Sequence, residues 1–329
     1  MSVTIKDIAN VAGVSYSTVS KALNNSPLVK EKTKRRITQI AEEMGYEPNF
    51  AAQRLVSKNS KVIGLIWPTI ERTVLAALVT NINKIIADTP YSMILSVDSI
   101  QKSMDTFKKF QVDGIILFEE NINVEVAQNQ IPIISYAVSK IRDYPYPVID
   151  ANHEQAMFYA VDYLYKLGHR KITYIGNISP IDPRQMVKFE GFQNAMKHYQ
   201  LPFDHDNVID TKGLDWYDGY SAINKLVRQK NMPSAIVGGS YDISAGIIRG
   251  LKENNINIPK NISVISYDNI PQMANLEVPL TCIGVEIDEL ATEIVSTIIK
   301  MVEEEKVEIP IKKMTPTLIE RSSCAYVKQ

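Results

Sequence analysis

Residues 13–25 read Gly-Val-Ser-Tyr-Ser-Thr-Val-Ser-Lys-Ala-Leu-Asn-Asn, a stretch in which hydroxyls, a phenol, an ammonium and amides crowd one short segment. At about 100° per helical residue, Tyr16, Ser17, Ser20, Lys21 and Asn24 share an arc of roughly 140°, while Thr18, Val19, Ala22 and Leu23 fill the opposite one. Short donors and acceptors on one face can bond phosphate oxygens and base edges, and the Lys21 ammonium can donate to guanine acceptors. The same pattern also describes an ordinary solvent-facing helix.

The flanking residues supply elements that could hold such a face in place. Thr4-Ile5-Lys6-Asp7 reads as a capping box, and Ile5, Ile8, Ala9 and Ala12 follow at helical spacing. Gly13 can take the left-handed conformation that ends this helix. Ser15 is the next cap, with Val14 and Val19 placed as a hydrophobic staple around it. A third helix carries Ile37, Ile40, Ala41 and Met44 on its inner stripe and stops at Gly45; Lys30 stands at its start, a poor cap. Two short helices joined by a glycine turn make a helix-turn-helix, whose second helix lies in the major groove. Three helices of this size bury only a small core, so the head should be marginally stable.

Charge is distributed to match. The chain of 329 residues has a net charge of −1, but residues 1–60 hold nine Lys and Arg against five acids, a basic head on a mildly acidic remainder. No apolar run approaches the roughly 18–20 residues that span a bilayer, and the N-terminus lacks the layout of a secretion signal, so a cytoplasmic protein without membrane attachment is expected. Cys282 and Cys324 are not at ligand spacing, nor are the four histidines, so neither a metal site nor a disulfide framework is expected. Phosphate-binding loops, a nucleophile elbow and a His/Asp pair at catalytic spacing are all missing from the sequence. The reading is therefore of a protein that is not an enzyme and needs no cofactor.

Beyond residue 60 short apolar runs (61–67, 92–97, 113–118, 131–136, 170–176, 234–238 and 262–267) alternate with helical patterns near 71–88, 153–167, 185–199, 217–230 and 242–254. The expected fold is an all-α helix-turn-helix head on an α/β body of two lobes with parallel sheets, its ligand cleft between the lobes. Between head and body, Phe50 to Val56 would make barely two helical turns, too short to be stable alone.

The stretch T-I-K-D-I-A-x-x-A-G-V-S-x-S-T-V-S-K-x-L-N-N, then K-T-x-x-R-I and M-G-Y-x-P-N, resembles the head of the LacI/GalR family of transcription regulators. LGHRKITYIG (167–176), EGFQNAM (190–196), ISVISYDN (262–269), VPLTCIGVEIDELA (278–291) and LIERSS (318–323) are similar to landmarks of that family's effector domain, which shares its fold with periplasmic sugar-binding proteins. The resemblance implies that Tyr16, Ser17 and Lys21 read operator bases and that Thr4, Ser15, Thr18, Ser20 and Asn24 hold the DNA backbone. Lysine at position 21 replaces the usual arginine and loses its two-donor fork. By the same resemblance Asn49 caps a hinge helix that folds on the operator, and Leu55 wedges into a central minor-groove step. The implied domains are 1–47 (DNA-binding), 48–59 (hinge) and 60–329 (effector binding and dimerisation). Within the last, one lobe comprises about 60–155 and 288–316 and the other about 156–287 and 317–329.

The resemblance also points to an effector site, from which this sequence departs repeatedly. After the first strand stands Thr69-Ile70-Glu71-Arg72-Thr73-Val74-Leu75, without the usual stacking aromatic; Thr69 and Val74 are the candidates there. Lys188 takes the place of an arginine, with Arg184 four residues upstream as its possible substitute. Trp216, either Ser240-Tyr241 or, slipped by one, Tyr241-Asp242, and Asp268 complete the set. The implied protein is a ligand-responsive repressor that acts as a homodimer on a pseudopalindromic double-stranded operator and senses a carbohydrate-type effector. The sequence closes on LIERSSCAYVKQ, so a dimer without a tetramer-forming coiled coil is expected. The alternative is a regulator controlled mainly by a protein partner, such as a phosphorylated carrier protein.

Overall fold

A computed structural model describes residues 3–23, 25–46, 59–118, 131–141, 143–204, 207–229, 232–304 and 311–327. Asn24, Asn49 and Leu55, and with them nearly all of the expected hinge, lie outside the described residues. The chain divides into two compact units, Met1–Ser60 and Lys61–Gln329.

The first unit contains α1 (Ile5–Ala12), α2 (Tyr16–Leu23) and α3 (Glu31–Glu43). The capping box closes at its N-terminus: the Thr4 N–H and hydroxyl donate to Asp7 Oδ2 at 2.8 and 2.7 Å, and the Asp7 N–H donates to Thr4 Oγ1 at 3.4 Å. Gly13, at φ 62°, ends α1 in the left-handed region, and the Thr18 N–H donates to Ser15 Oγ at 3.2 Å to start α2. Ile8, Ala9 and Ala12 of α1, Val19 and Ala22 of α2 and Ile37 and Ala41 of α3 pack together with Val29. Arg36 donates to the Ala12 carbonyl at 2.7 Å and so ties α3 to the open end of α1. Lys30 precedes α3 without a side-chain capping bond. Lys30→Ser should therefore stabilise this unit by about 1 kcal/mol, read as an upward shift of its helical unfolding transition by circular dichroism; an unchanged midpoint would contradict it.

The second unit is built on two six-stranded sheets. The first uses β1 (Val62–Ile66), β2 (Ser92–Ser96), β3 (Gly114–Phe118), β4 (Ile133–Tyr136), β5 (Val148–Asp150) and β11 (Ile311–Lys313), in the order β11-β5-β4-β3-β1-β2. The second uses β6 (Ile172–Gly176), β7 (Val208–Asp210), β8 (Ala235–Gly238), β9 (Ser263–Asn269), β10 (Thr281–Glu286) and β12 (Thr317–Ile319), in the order β12-β10-β9-β8-β6-β7. Every pairing is parallel except β10 with β12. Each sheet thus repeats one doubly wound order, with its switch point between β1 and β3 or between β6 and β8.

Parallel strands need helical crossovers, which cover both faces and account for the nearly unbroken apolar strands. In the first lobe α4 (Thr73–Ala87) and α10 (Ile287–Glu303) pack on the face carrying Ile63, Leu65 and Ile116, and α5 (Ile100–Phe110) on the face carrying Val62, Ile66, Ile115 and Leu117. In the second, α6 (His153–Lys166) and α7 (Pro183–His198) pack on Ile172, Tyr174, Val237 and Ile265. Opposite them lie α8 (Trp216–Arg228) and α9 (Tyr241–Glu253), on Ile175, Ile236 and Val264. The chain leaves one sheet for the other after β5, after β10 and between β11 and β12, so neither lobe is continuous in sequence. Among the described residues no helix is long and apolar enough to cross a membrane.

Candidate functional site

In the first unit, the packing of α2 decides what it shows. Val19 and Ala22 are buried against the other two helices. Tyr16 is 52% exposed, Ser17 and Lys21 are also exposed, and Thr18 and Ser20 are half-buried at the margins. Ser15 Oγ shares hydrogen bonds with Ser17 Oγ (2.9 Å) and Thr18 Oγ1 (2.8 Å), which gathers three hydroxyls at the N-terminus of α2. The backbone N–H groups of a helix start favour a phosphate there, next to a phenol and an ammonium that can reach further. Thr4 is exposed at the start of α1, its hydroxyl engaged by Asp7.

In the second unit, a cleft opens where the carboxyl ends of both sheets face each other. The first lobe lines it with Arg72, Val74 and Leu75 at the start of α4, Phe118 at the end of β3 and Tyr136 at the end of β4. The second lobe contributes Arg184, Gln185 and Lys188 from α7 and Tyr267 and Asp268 from β9; His153 comes from the start of α6. Asp182 caps α7 by accepting from the Arg184 N–H at 3.0 Å, and four-residue spacing then turns Arg184 and Lys188 to the same side. The Arg184 guanidinium sits 4.0 Å above the Phe118 ring, with Nε 3.2 Å from Asp182 Oδ1. Lys188 lies 4.0 Å above the Tyr267 ring and donates to the Gly239 carbonyl at 3.0 Å.

Burial sets the ionisation of the cleft. It pushes the Lys188 ammonium down to about 8, against the pull of Asp268 and Asp182, and raises the Asp268 carboxyl, which Lys188 opposes. His153 is driven down to about 3 by burial and then by the Lys188 charge, so it is neutral near pH 7 and shares a hydrogen bond with the Tyr267 hydroxyl. Asp268 has φ 85°, a conformation that L residues rarely adopt, and its Oδ2 accepts the Tyr241 N–H at 2.8 Å. The bond holds the carboxylate between the first turn of α9 and the cavity.

Three contacts hold the lobes together around this space. The Thr73 hydroxyl donates to Asp242 Oδ1 at 2.6 Å, Arg184 of the second lobe covers Phe118 of the first, and Lys140 donates to Glu190 at 2.6 Å and to Glu154 at 2.7 Å. The cavity left between them has a volume of about 50 Å³, room for a few waters rather than a sugar ring. A larger ligand must part the lobes or displace one of these side chains.

Of the residues singled out in the sequence, the fold brings Val74, Arg184, Lys188 and Asp268 to the cavity wall and places Thr69, Trp216, Tyr241 and Asp242 elsewhere. Thr69 Oγ1 accepts the Glu71 N–H at 3.1 Å within the turn after β1. Trp216, 43% exposed, stacks on Tyr220 with centroids 5.2 Å apart. Arg72, Phe118, Tyr136, His153, Gln185 and Tyr267 were not singled out. Phe118, Tyr136 and Tyr267 stand at or near the carboxyl ends of strands, the signal that could have found them.

A small three-helix unit presenting a polar helix, and a doubly wound two-lobed body with a shared cleft, together define a DNA-binding regulator with a ligand domain. Residues 4–49 match the family model for bacterial regulatory proteins of the lacI family, and residues 161–324 match that for a periplasmic binding protein-like domain. The chain belongs to the lacI family: catabolite control protein A of Priestia megaterium is 30% identical to it over 312 residues, 89% of this chain and 92% of that one. The HTH-type transcriptional repressor PurR of Histophilus somni (strain 2336) is 27% identical over 331 residues, covering 97% of this chain and 98% of its own. The fold is shared with the lac repressor dimer bound to operator and the anti-inducer ONPF, at a TM-score of 0.87 and 22% identity, over 99% of this chain and all of that one.

Proposed function

We propose that this regulator is a repressor that binds a pseudopalindromic operator as a homodimer, each head reading one half-site, and that a small effector in the cleft, a sugar or sugar derivative, controls occupancy of the operator. The observation that carries the reading is the two-sided α2: Val19 and Ala22 buried, Tyr16, Ser17 and Lys21 presented to solvent. In this reading Tyr16, Ser17 and Lys21 contact bases, and Thr4, Ser15, Thr18, Ser20 and Asn24 contact the backbone. Asn49 and Leu55 act in the hinge, Leu55 as a minor-groove wedge. The lac repressor dimer on its operator supplies the dimeric precedent. An effector touching both lobes can change their arrangement and so couple the cleft to the operator.

Selection of binding sites from a random duplex library, followed by titration of the recovered site against salt, tests this reading. A palindromic consensus is expected, with affinity falling about 10³-fold or more between roughly 50 and 200 mM salt. On that site Leu55→Ala should lose about tenfold or more in affinity while binding of unrelated DNA is preserved, because the wedge contributes only where the duplex is kinked. Recovery of no consensus, or a flat salt profile, would sink the proposal.

A further inference from the structure

Two cations of α3 reach back to the ends of the other two helices in the first unit. Arg36 donates to the Ala12 carbonyl at the end of α1. Lys34, its side chain 14% exposed, donates from Nζ to Asn25 Oδ1 at 2.7 Å and to the Asn25 carbonyl at 3.3 Å, just past the end of α2. Glu31 lies 3.8 Å from the same nitrogen but is 67% exposed, a pair that water screens. Asn25 is where α2 turns. It stands at φ 51°, in the left-handed region. Its N–H donates to the Ala22 carbonyl at 3.0 Å, and the Ser26 N–H donates to the Lys21 carbonyl at 2.9 Å. These are the two bonds of a Schellman turn, whose left-handed residue is usually glycine. Gly13 fills that place at the end of α1. At Asn25 a residue with a side chain must be kept left-handed, and Lys34 grips both its carbonyl and its side-chain oxygen. An ammonium is also favoured at the negative end of a helix.

Resting on the reading of α2 as the helix that meets base edges, we infer that Lys34 is a positioning residue for the base contact of Lys21, one that touches no nucleotide itself and acts by keeping Asn25 left-handed. The chain of contacts is short. With Asn25 held, the Ser26 N–H closes on the Lys21 carbonyl, and the last turn of α2 is fixed at the residue whose ammonium extends toward the bases. Lys21 is exposed, so its direction is set by the backbone that carries it rather than by packing around its side chain. A flexible ammonium without the two-donor fork of arginine depends all the more on a fixed root. Helix ends fray, and α2 has only eight residues, so loosening its final turn moves Lys21 first. The Lys34 nitrogen is already engaged by two oxygens of Asn25, which suits a clamp and not a phosphate ligand.

The test uses the full chain and the operator recovered by selection, together with operators changed one base pair at a time. Lys21→Ala marks the base pair that Lys21 reads, as the position where discrimination is lost. Lys34→Met should lose discrimination at that same position, on the order of tenfold, and keep it at the others. Its binding of unrelated DNA and its salt slope should match those of Arg35→Met, which removes the same charge from the exposed neighbouring residue. Asn25→Gly should make the lysine dispensable, because glycine takes the left-handed conformation without a clamp. The double variant Asn25→Gly/Lys34→Met should therefore regain the discrimination that Lys34→Met loses. Both tryptophans, Trp67 and Trp216, belong to the two-lobed unit, so folding of the head is followed by circular dichroism. Should Lys34→Met unfold the head, the double variant carries the test, with recovery of both helix signal and discrimination expected. A uniform loss of affinity at every base pair, with a salt slope smaller by about one, would reveal a phosphate contact and overturn the inference. Discrimination still missing in the double variant would overturn it too. Loss in Lys21→Ala with full discrimination in Lys34→Met refutes the positioning role alone, whereas full discrimination in Lys21→Ala refutes the base-reading helix and the positioning role together.

Discussion

Ile37→Ala is expected to abolish sequence-specific DNA binding while leaving the two-lobed body folded. Ile37 is 1% exposed at the centre of the three-helix core, in contact with the buried residues of α1 and α2. Deleting its side chain beyond Cβ costs about 2–5 kcal/mol, and a unit this small has little more than that to lose. The consequence reaches DNA because α2, eight residues long, is too short to stand as an isolated helix. Its polar face exists only while Val19 and Ala22 are held against α1 and α3. Three readouts decide the matter: loss of the head's share of the helical circular dichroism signal, loss of operator binding by more than about a hundredfold, and an unshifted tryptophan unfolding curve from the body. Operator affinity within about tenfold of the unaltered protein would show that the core has more reserve than its size suggests.

Gly219→Val should destabilise the body by about 3 kcal/mol, far more than an average surface change. A Cβ at Gly219 would lie 2.1 Å from the Ile243 carbonyl oxygen, and one at Gly246 would lie 2.1 Å from the Trp216 carbonyl and 2.6 Å from the Tyr220 nitrogen. Helices α8 and α9 therefore meet backbone to backbone, and a side chain at either glycine must push a whole helix rather than turn a rotamer. Gly250→Ala is the internal comparison, since its Cβ would meet the Ile223 methyl group at 2.2 Å, a side-chain atom that can move. Urea unfolding followed by tryptophan fluorescence should rank Gly219→Val well below Gly250→Ala in stability; equal losses would mean that the helix pair separates easily.

These two cases differ in how much of them could be read in advance. The importance of Ile37 is visible from spacing alone, because the signals of the head are local. Thr4 and Asp7 are three residues apart, as are Ser15 and Thr18, and each pair forms the bonds its spacing predicts. The seven apolar runs likewise became strands, since a parallel sheet covered on both faces leaves little room for polar residues. Other elements leave little signal in the sequence. β5, β7, β11 and β12 are three residues each, too short for a periodic signal. Helix α5 buries only Ser103, Met104 and Phe107, a narrow stripe in a mostly polar segment. The close approach of α8 and α9 leaves no trace in sequence beyond the glycines themselves, which could equally have marked turns.

The cleft shows the same division. Arg184, Lys188 and Asp268 are expected from the resemblance to the family's effector site, and the fold brings all three to the cavity wall. Arg72 joins them from a helix start and Phe118, Tyr136 and Tyr267 from separate strand ends across both lobes, and that convergence depends on three crossings between sheets. Trp216, Tyr241 and Asp242 are absent from the cavity wall for the same reason: the positions of α8 and α9 are set by packing. From sequence alone came the three-helix head, its polar face, the alternating α/β body and the expectation of an interlobe site, all properties of neighbours within a few residues. Tertiary structure alone decided which side chains share the cavity and which carboxylate each buried cation meets, because both are properties of distance in space and not of spacing along the chain.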